Sequence, residues 1–303
     1  MLVEHVDAWR AHNSAVGVWN AALGEWPAEL ERTYAREVER LGYSALWIGE
    51  NPYMKEVLVH AGLLLSATER LVVGTGIASV WARDAIATHN GAEALAEAYD
   101  SRFVLGLGVS HRVLTEARGA AYTTPLSTMK NYLTTLAAVD YHGPKPVSPT
   151  PIVIAALRDK MLALAAEKAD GAHTYLVTPE HTAHARAVLG PEPLLVVEQG
   201  FVLSTEPSVA RAAAREHLHW YLGQPNYQAS MRSLGFDESD IIHGGSDCLV
   251  DALVVWGTAE DVASRIQDHR SGGADQVLLQ PVAGSPTEQL HGLGHVARVL
   301  GLS

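Results

Sequence analysis

Glu50 and Asn51 close one short apolar run of this chain, His111 closes another, and His173 and Tyr175 stand one residue apart at the end of a third. A carboxyl group can hold or release a proton, whereas the Asn51 amide can orient a carbonyl or a ring but cannot move protons near neutral pH. An imidazole at 111 can donate a proton to a substrate atom or hydrogen-bond a bound group. Side chains two apart on an extended segment point the same way, so His173 and Tyr175 can line one pocket floor. Trp19 and Trp81 offer walls for a flat ligand. Each residue also has a purely structural reading: Asn51 as a turn residue, the histidines as buried hydrogen-bonded groups, the tryptophans as core. The set holds no carboxylate pair of the glycosidase kind and no serine in a G-x-S-x-G elbow. The pairs His181 and His184, and His217 and His219, fall on expected helices without further ligands, so no metal site is expected.

These residues become a site only if the runs before them end at one place. Residues 71–111 read as strand, helix, strand: LVV, then a helical repeat over 85–99, then FVLGL, with glycines at both strand ends. A second strand reached through a helix lies parallel to the first, which brings residues 76–83 and 108–111 to one sheet edge. The alternation recurs along the chain, giving eight strands at 15–19, 45–48, 71–73, 103–107, 152–155, 171–174, 194–203 and 277–280, with helices between them. That count predicts an α/β fold of one domain, a (β/α)8 TIM barrel over residues 1–303, with its site where the strands end. A doubly wound sheet is the rival, but the first strand is followed by no G-x-G-x-x-G. Residues 204–257, between the seventh and eighth strands, form an insertion expected to act as part lid, part contact surface.

The charge is -12 from 22 basic and 34 acidic residues, which disfavours nucleic acid and anionic membranes as partners and leaves a small-molecule substrate as the expectation. Cys248 is the single cysteine, and the opening MLVEHVDAWRAHNS lacks the basic and apolar regions of a secretory signal, so a cytoplasmic location is expected.

The runs EVERLGYSALWIGE, LLLSATERLVVGTGIASVWARD and SRFVLGLGVSH, followed by PIVIAALRDKMLALAAEKADGAHTYLVTPEHT and GTAEDVASRIQDHRSGGADQVLLQP, resemble the bacterial luciferase-like superfamily. Within it they resemble the branch of oxidoreductases that use the deazaflavin coenzyme F420. The resemblance spans residues 19–281 and implies a barrel, commonly a homodimer, that holds F420 or flavin mononucleotide (FMN) at the strand ends. It implies a non-prolyl cis peptide between Gly76 and Ile77 against the cofactor ring, with Ala78, Ser79, Val109 and Ser110 beside it and Ala155, Ala156, Leu157 and Arg158 at the phosphate end. It places His111 where some relatives carry a glutamate acid, and Asn51 where an acid is often followed by histidine. Glu50 remains an acid or a hydrogen-bond acceptor, and Trp19, Trp81, His173 and Tyr175 fall to the substrate. AALRDKM departs from the usual small-glycine-proline turn; Arg158 can replace backbone donors as a phosphate clamp, while Asp159 opposes the same anion. Three functions follow: hydride transfer between F420 and a carbonyl, imine or activated alkene; an FMN monooxygenase; or a binding protein that has lost redox catalysis.

Overall fold

The computed structural model describes residues 15–302. The reading of the amino-terminal segment as free of a secretory signal lies outside them. Short runs rich in β-branched and aromatic residues form β1 (Val16–Trp19), β2 (Ala45–Ile48), β3 (Val72–Thr75), β4 (Ala78–Ser79), β5 (Phe103–Gly108), β6 (Ile152–Ala155), β7 (Gly171–Thr174), β8 (Leu194–Val202), β9 (Val254–Trp256) and β10 (Gln276–Pro281). All pair in parallel, in the order β10-β1-β2-β3-β5-β6-β7-β8, and β10 pairs with both β1 and β8, which closes the cylinder. Eight strands make the barrel, as the alternation predicts, and the fold is a TIM barrel.

The period of two along each strand divides the core. Trp19, Ala45, Trp47, Val72, Val104, Val153, Leu194, Val196 and Leu278 share the barrel interior, while Leu46, Ile48, Val73, Phe103, Leu105, Ile154, Val197 and Leu279 face the helices. Trp47 is fully buried, and the fold accommodates it at Gly74, where a Cβ would fall 2.4 Å from the indole ring. Helices α1 (Ala28–Arg40), α2 (Val57–Leu65), α3 (Ala85–Ala98), α4 (Arg112–Glu116), α5 (Pro125–Ala137), α6 (Asp159–Lys168) and α7 (Pro179–Leu189) follow the strands in turn. Three of their starts are capped by side chains: Glu56 accepts from Val59 N–H, Asp84 from Ala87 N–H and Thr178 from His181 N–H.

Two short strands escape the sequence reading. β4 continues the wall beside β5, pairing Ala78 with Leu107 and Ser79 with Gly108. β9 ends the insertion: β8 is nine residues long, β7 covers its start, and β9 pairs with its last three residues. The rest of the insertion is helical, as α8 (Pro207–Leu222), α9 (Pro225–Ser233), α10 (Glu238–Ile241) and α11 (Asp247–Leu253). Arg211 of α8 binds both carboxylate oxygens of Asp251 on α11, at 2.9 and 2.6 Å. The chain ends with α12 (Ala259–Ser271) and α13 (Pro286–Leu300), each opened by a reciprocal capping box. No helix among the described residues is long and apolar enough to cross a membrane.

Candidate active site

Because every strand runs the same way, all carboxyl ends open on one rim, and a cavity of about 1520 Å³ lies there. Pockets for a single drug-sized ligand measure roughly 300–1,000 Å³, so this space is large enough for two ligands. Trp19, Glu50, Asn51, Gly76, Ile77, Val109, Ser110, His111, Ala155, Ala156, Leu157, Arg158, His173 and Tyr175 line it. Ala78, Ser79 and Trp81 do not. Ala78 and Ser79 are strand residues, buried by their pairing with β5. Trp81 buttresses the loop after β5 from behind, its indole N–H donating to Val109 O at 2.8 Å and its ring packing on Tyr122.

At the floor the Gly76 backbone lies against the Trp19 indole and the His173 imidazole. The Gly76–Ile77 peptide is cis, and both of its residues are tied to the end of β2: Gly76 N–H donates to Ile48 O at 2.8 Å and Glu50 N–H to Ile77 O at 3.2 Å. A Cβ on residue 76 would fall 2.4 Å from Trp19 Nε1 and 3.1 Å from His173 Nε2, so only glycine fits. His173 Nδ1–H donates to Val196 O at 3.2 Å, which leaves Nε2 as the unprotonated nitrogen. Burial drives its pKa down to about 4, so this ring is neutral.

Glu50 is an acceptor. Its side chain is 2% exposed and takes hydrogen bonds from Ser79 N–H (2.7 Å), Arg83 (2.8 and 3.2 Å) and Arg118 (3.0 Å). Both oxygens are filled by donors, and two of the three donor residues are cationic. Asn51 makes the turn that its position suggests: its Oδ1 accepts from Tyr53 N–H at 3.0 Å.

His111 meets the insertion. Its Nδ1–H donates to Asn226 Oδ1 at 3.3 Å, its ring stacks on Tyr227 at 5.6 Å and meets Trp220 edge-on at 4.9 Å. Burial lowers its pKa, with the Asn226 bond opposing, so the ring is neutral and Nε2 carries the free lone pair. Tyr175 spans three walls, its hydroxyl donating to Gln280 Oε1 on β10 and bonding the Tyr221 hydroxyl on α8, each at 2.9 Å.

At the far end, the start of α6 presents Arg158 and Lys160, both exposed and neither ion-paired among the described residues. Asp159, which would oppose an anion there, is engaged with His184 Nε2 at 2.8 Å, a bond that holds its carboxyl below the usual range. His181 is bound to Leu157 O at 2.8 Å. No group of three or more histidine, cysteine, aspartate or glutamate side chains is placed to hold a metal ion among the described residues.

Sequence reasoning missed Glu198. It lies within β8, 1% exposed, with Oε2 accepting from Leu176 N–H at 3.0 Å and Oε1 without a partner among the described residues. Leu176 has a φ of 54°, a left-handed conformation rare for leucine. Burial pushes the Glu198 pKa up to about 8, so the carboxyl is protonated at neutral pH. The signal was a glutamate inside the nine-residue run LLVVEQGFV.

A closed parallel barrel whose strand ends carry a roomy, mostly uncharged cleft under a helical insertion is an enzyme architecture with room for a flat cofactor. The chain belongs to the luciferase-like monooxygenase family, whose model matches residues 15–276. It is 25% identical over 296 residues to a 5,10-methylenetetrahydromethanopterin reductase of Methanolobus tindarius, covering 84% of this chain and 89% of that one. In fold it resembles the coenzyme F420-dependent tetrahydromethanopterin reductase of Methanopyrus kandleri, with a TM-score of 0.78 at 14% identity over 96% of this chain and all of that one. An F420-dependent secondary alcohol dehydrogenase, solved with an F420-acetone adduct, gives 0.77 at 13% identity over 96% and 99%.

Proposed function

We propose that this chain is an F420-dependent oxidoreductase that moves a hydride between the deazaflavin and a carbonyl, imine or activated-alkene carbon of a small organic substrate. The observation that carries this reading is the bare Gly76 backbone, set between Trp19 and His173 on the floor of a cavity large enough for two ligands. A planar, uncharged ring fits there: the floor around Gly76 is indole and imidazole, His173 is neutral, and the Glu50 charge is neutralised by Arg83 and Arg118. Arg158, Lys160 and the first N–H groups of α6 would hold the phosphate end. The bound deazaflavin would supply the carbon that accepts or gives the hydride.

The chain's own contribution is proton handling and placement. With Nδ1–H committed to Asn226, Nε2 of neutral His111 takes the hydroxyl or amine proton as hydride leaves the substrate, and returns it in the reverse direction. His111→Ala is expected to lower kcat about 10²-fold, the low end for loss of a general base, while F420 affinity stays within about threefold. Steady-state kinetics beside a fluorescence titration with F420 measure both. Equal losses would make His111 a binding residue only.

The reading is tested by titrating the chain with F420 and with FMN, then following anaerobic turnover of reduced F420 with a panel of carbonyls and imines. F420 binding and oxygen-independent turnover are expected. Binding of neither cofactor would overturn it, and stoichiometric oxygen uptake with FMN would replace it with the monooxygenase reading. The same proposal has the chain working in the cytoplasm as a homodimer on a small molecule, without nucleic acid or membrane as partner; sedimentation velocity checks the dimer.

A further inference from the structure

The part of the cavity bounded by the insertion differs in chemistry from the rest. Its lining from α8, α9 and the segment after them is Trp220, Tyr221, Asn226, Tyr227, Leu234 and Phe236, with Ser233 and Ala252 beside them, and none of these is charged. The cations Arg158 and Lys160, unpaired among the described residues, and the carboxylates of Asp159 and Glu180 come from the starts of α6 and α7, and the Glu50 carboxylate from the loop after β2.

The rings form one continuous wall. His111 stacks on Tyr227 at an interplanar angle of 29° and is perpendicular to Trp220; Tyr221 is perpendicular to both Trp220 (5.1 Å) and Tyr227 (5.2 Å), and Tyr175 carries the series down to Trp19 at 5.1 Å. Edge-to-face contacts of this kind orient each ring by its neighbours, so the wall is built before a ligand arrives. Its titratable members are uncharged: burial raises the hydroxyls of Tyr175 and Tyr227 well above their ordinary value and Tyr221 to about 12, and lowers His111. Glu198 behind them is protonated. A carboxylate or phosphate placed against this wall would lose its water and find no cation in return. A flat neutral ring would stack on it.

We propose that the cavity face formed by His111, Trp220, Tyr221 and Tyr227 is the substrate subsite, and that it selects an uncharged, ring-bearing carbonyl or imine over one with an anionic group beside the reacting carbon. The inference rests on the oxidoreductase reading for the word substrate. Its geometry stands independently, because the wall lies within the described chain without any cofactor. The oxygen or nitrogen on the reacting carbon meets Nε2 of His111, and the ring attached to that carbon lies against Trp220, Tyr221 and Tyr227.

Acetophenone and benzoylformate test this, since they share a phenyl ketone and differ in a carboxylate on the carbonyl carbon. Binding of each is measured by calorimetry to the full chain, with and without oxidised F420. Acetophenone is expected to bind at least about tenfold more tightly than benzoylformate, with Trp220→Leu weakening acetophenone about tenfold and leaving F420 affinity unchanged. Trp220 is 39% exposed, so its replacement should leave the fold intact; Tyr227→Phe, which keeps the ring, should bind acetophenone as the parent does. Benzoylformate binding as tightly as acetophenone, or a trimethylammonium-substituted acetophenone binding more tightly than either, would overturn the proposal, as would an unchanged acetophenone affinity in Trp220→Leu. Acetophenone preference without F420 binding would keep the subsite and remove the cofactor reading; F420 binding without that preference would do the reverse.

Discussion

Replacing Glu50 with alanine is expected to cost about 3–5 kcal/mol of folding stability, the usual penalty for removing one partner of a buried ion pair. The side chain is 2% exposed, and three residues converge on it: Arg83 and Arg118 by their guanidinium groups and Ser79 by its backbone N–H. Arg83, at 12% side-chain exposure, also reaches Glu56, whereas Arg118, at 23%, has no other ion-pair partner among the described residues. The damage should extend to the ligand floor. The Glu50 carboxylate holds the amide of Ser79, two residues beyond Ile77, whose carbonyl accepts from the backbone N–H of residue 50. Loss of F420 binding should therefore accompany the loss of stability, while Glu50→Gln, which keeps an acceptor for Ser79, should lose less of both. Urea unfolding followed by circular dichroism gives the first quantity and fluorescence titration the second. A cost under about 1 kcal/mol would show that the cluster behaves as an exposed ion pair, screened by solvent.

The same cluster shows how far the sequence could be read. Strand runs and their glycines place Glu50, Gly76 and His111 on one rim, because a parallel sheet sends every strand end the same way. What Glu50 does there depends on Arg83 and Arg118, 33 and 68 residues away in the chain, and no local pattern reports such pairing. Trp19 and Trp81 look alike in sequence; one lies within β1 and faces the interior, while the other follows β4 and turns behind the loop after β5. The insertion was visible as an interruption of the repeat, yet its placement of Asn226 and Tyr227 against His111 spans more than a hundred residues. β9 was hidden because VVW continues the helical run DCLVDAL without a breaker. Glu198 left a sequence signal, a carboxylate inside an apolar strand, and that irregularity has a measurable consequence.

Between pH 4.5, the ordinary value for a glutamate, and about 8, the value to which burial raises Glu198, the native chain keeps a proton that the unfolded chain gives up. Stability therefore falls as pH rises through that window and stops falling on this account above about 8. A displacement of this size corresponds to a penalty on the order of 5 kcal/mol at alkaline pH. Glu198→Gln matches the shape of the protonated acid, retains an oxygen for Leu176 N–H and cannot ionise. The variant should equal the parent in stability near pH 4.5 and exceed it by several kcal/mol at pH 8.5. Other titrations, including the depressed histidines His173 and His269, occur in both proteins and cancel in the difference. Urea midpoints measured for the pair at pH 5, 7 and 8.5 decide the matter: curves that diverge with pH place an acid proton inside the barrel, and parallel curves would mean that Glu198 is ionised throughout, with a cation or water serving its second oxygen.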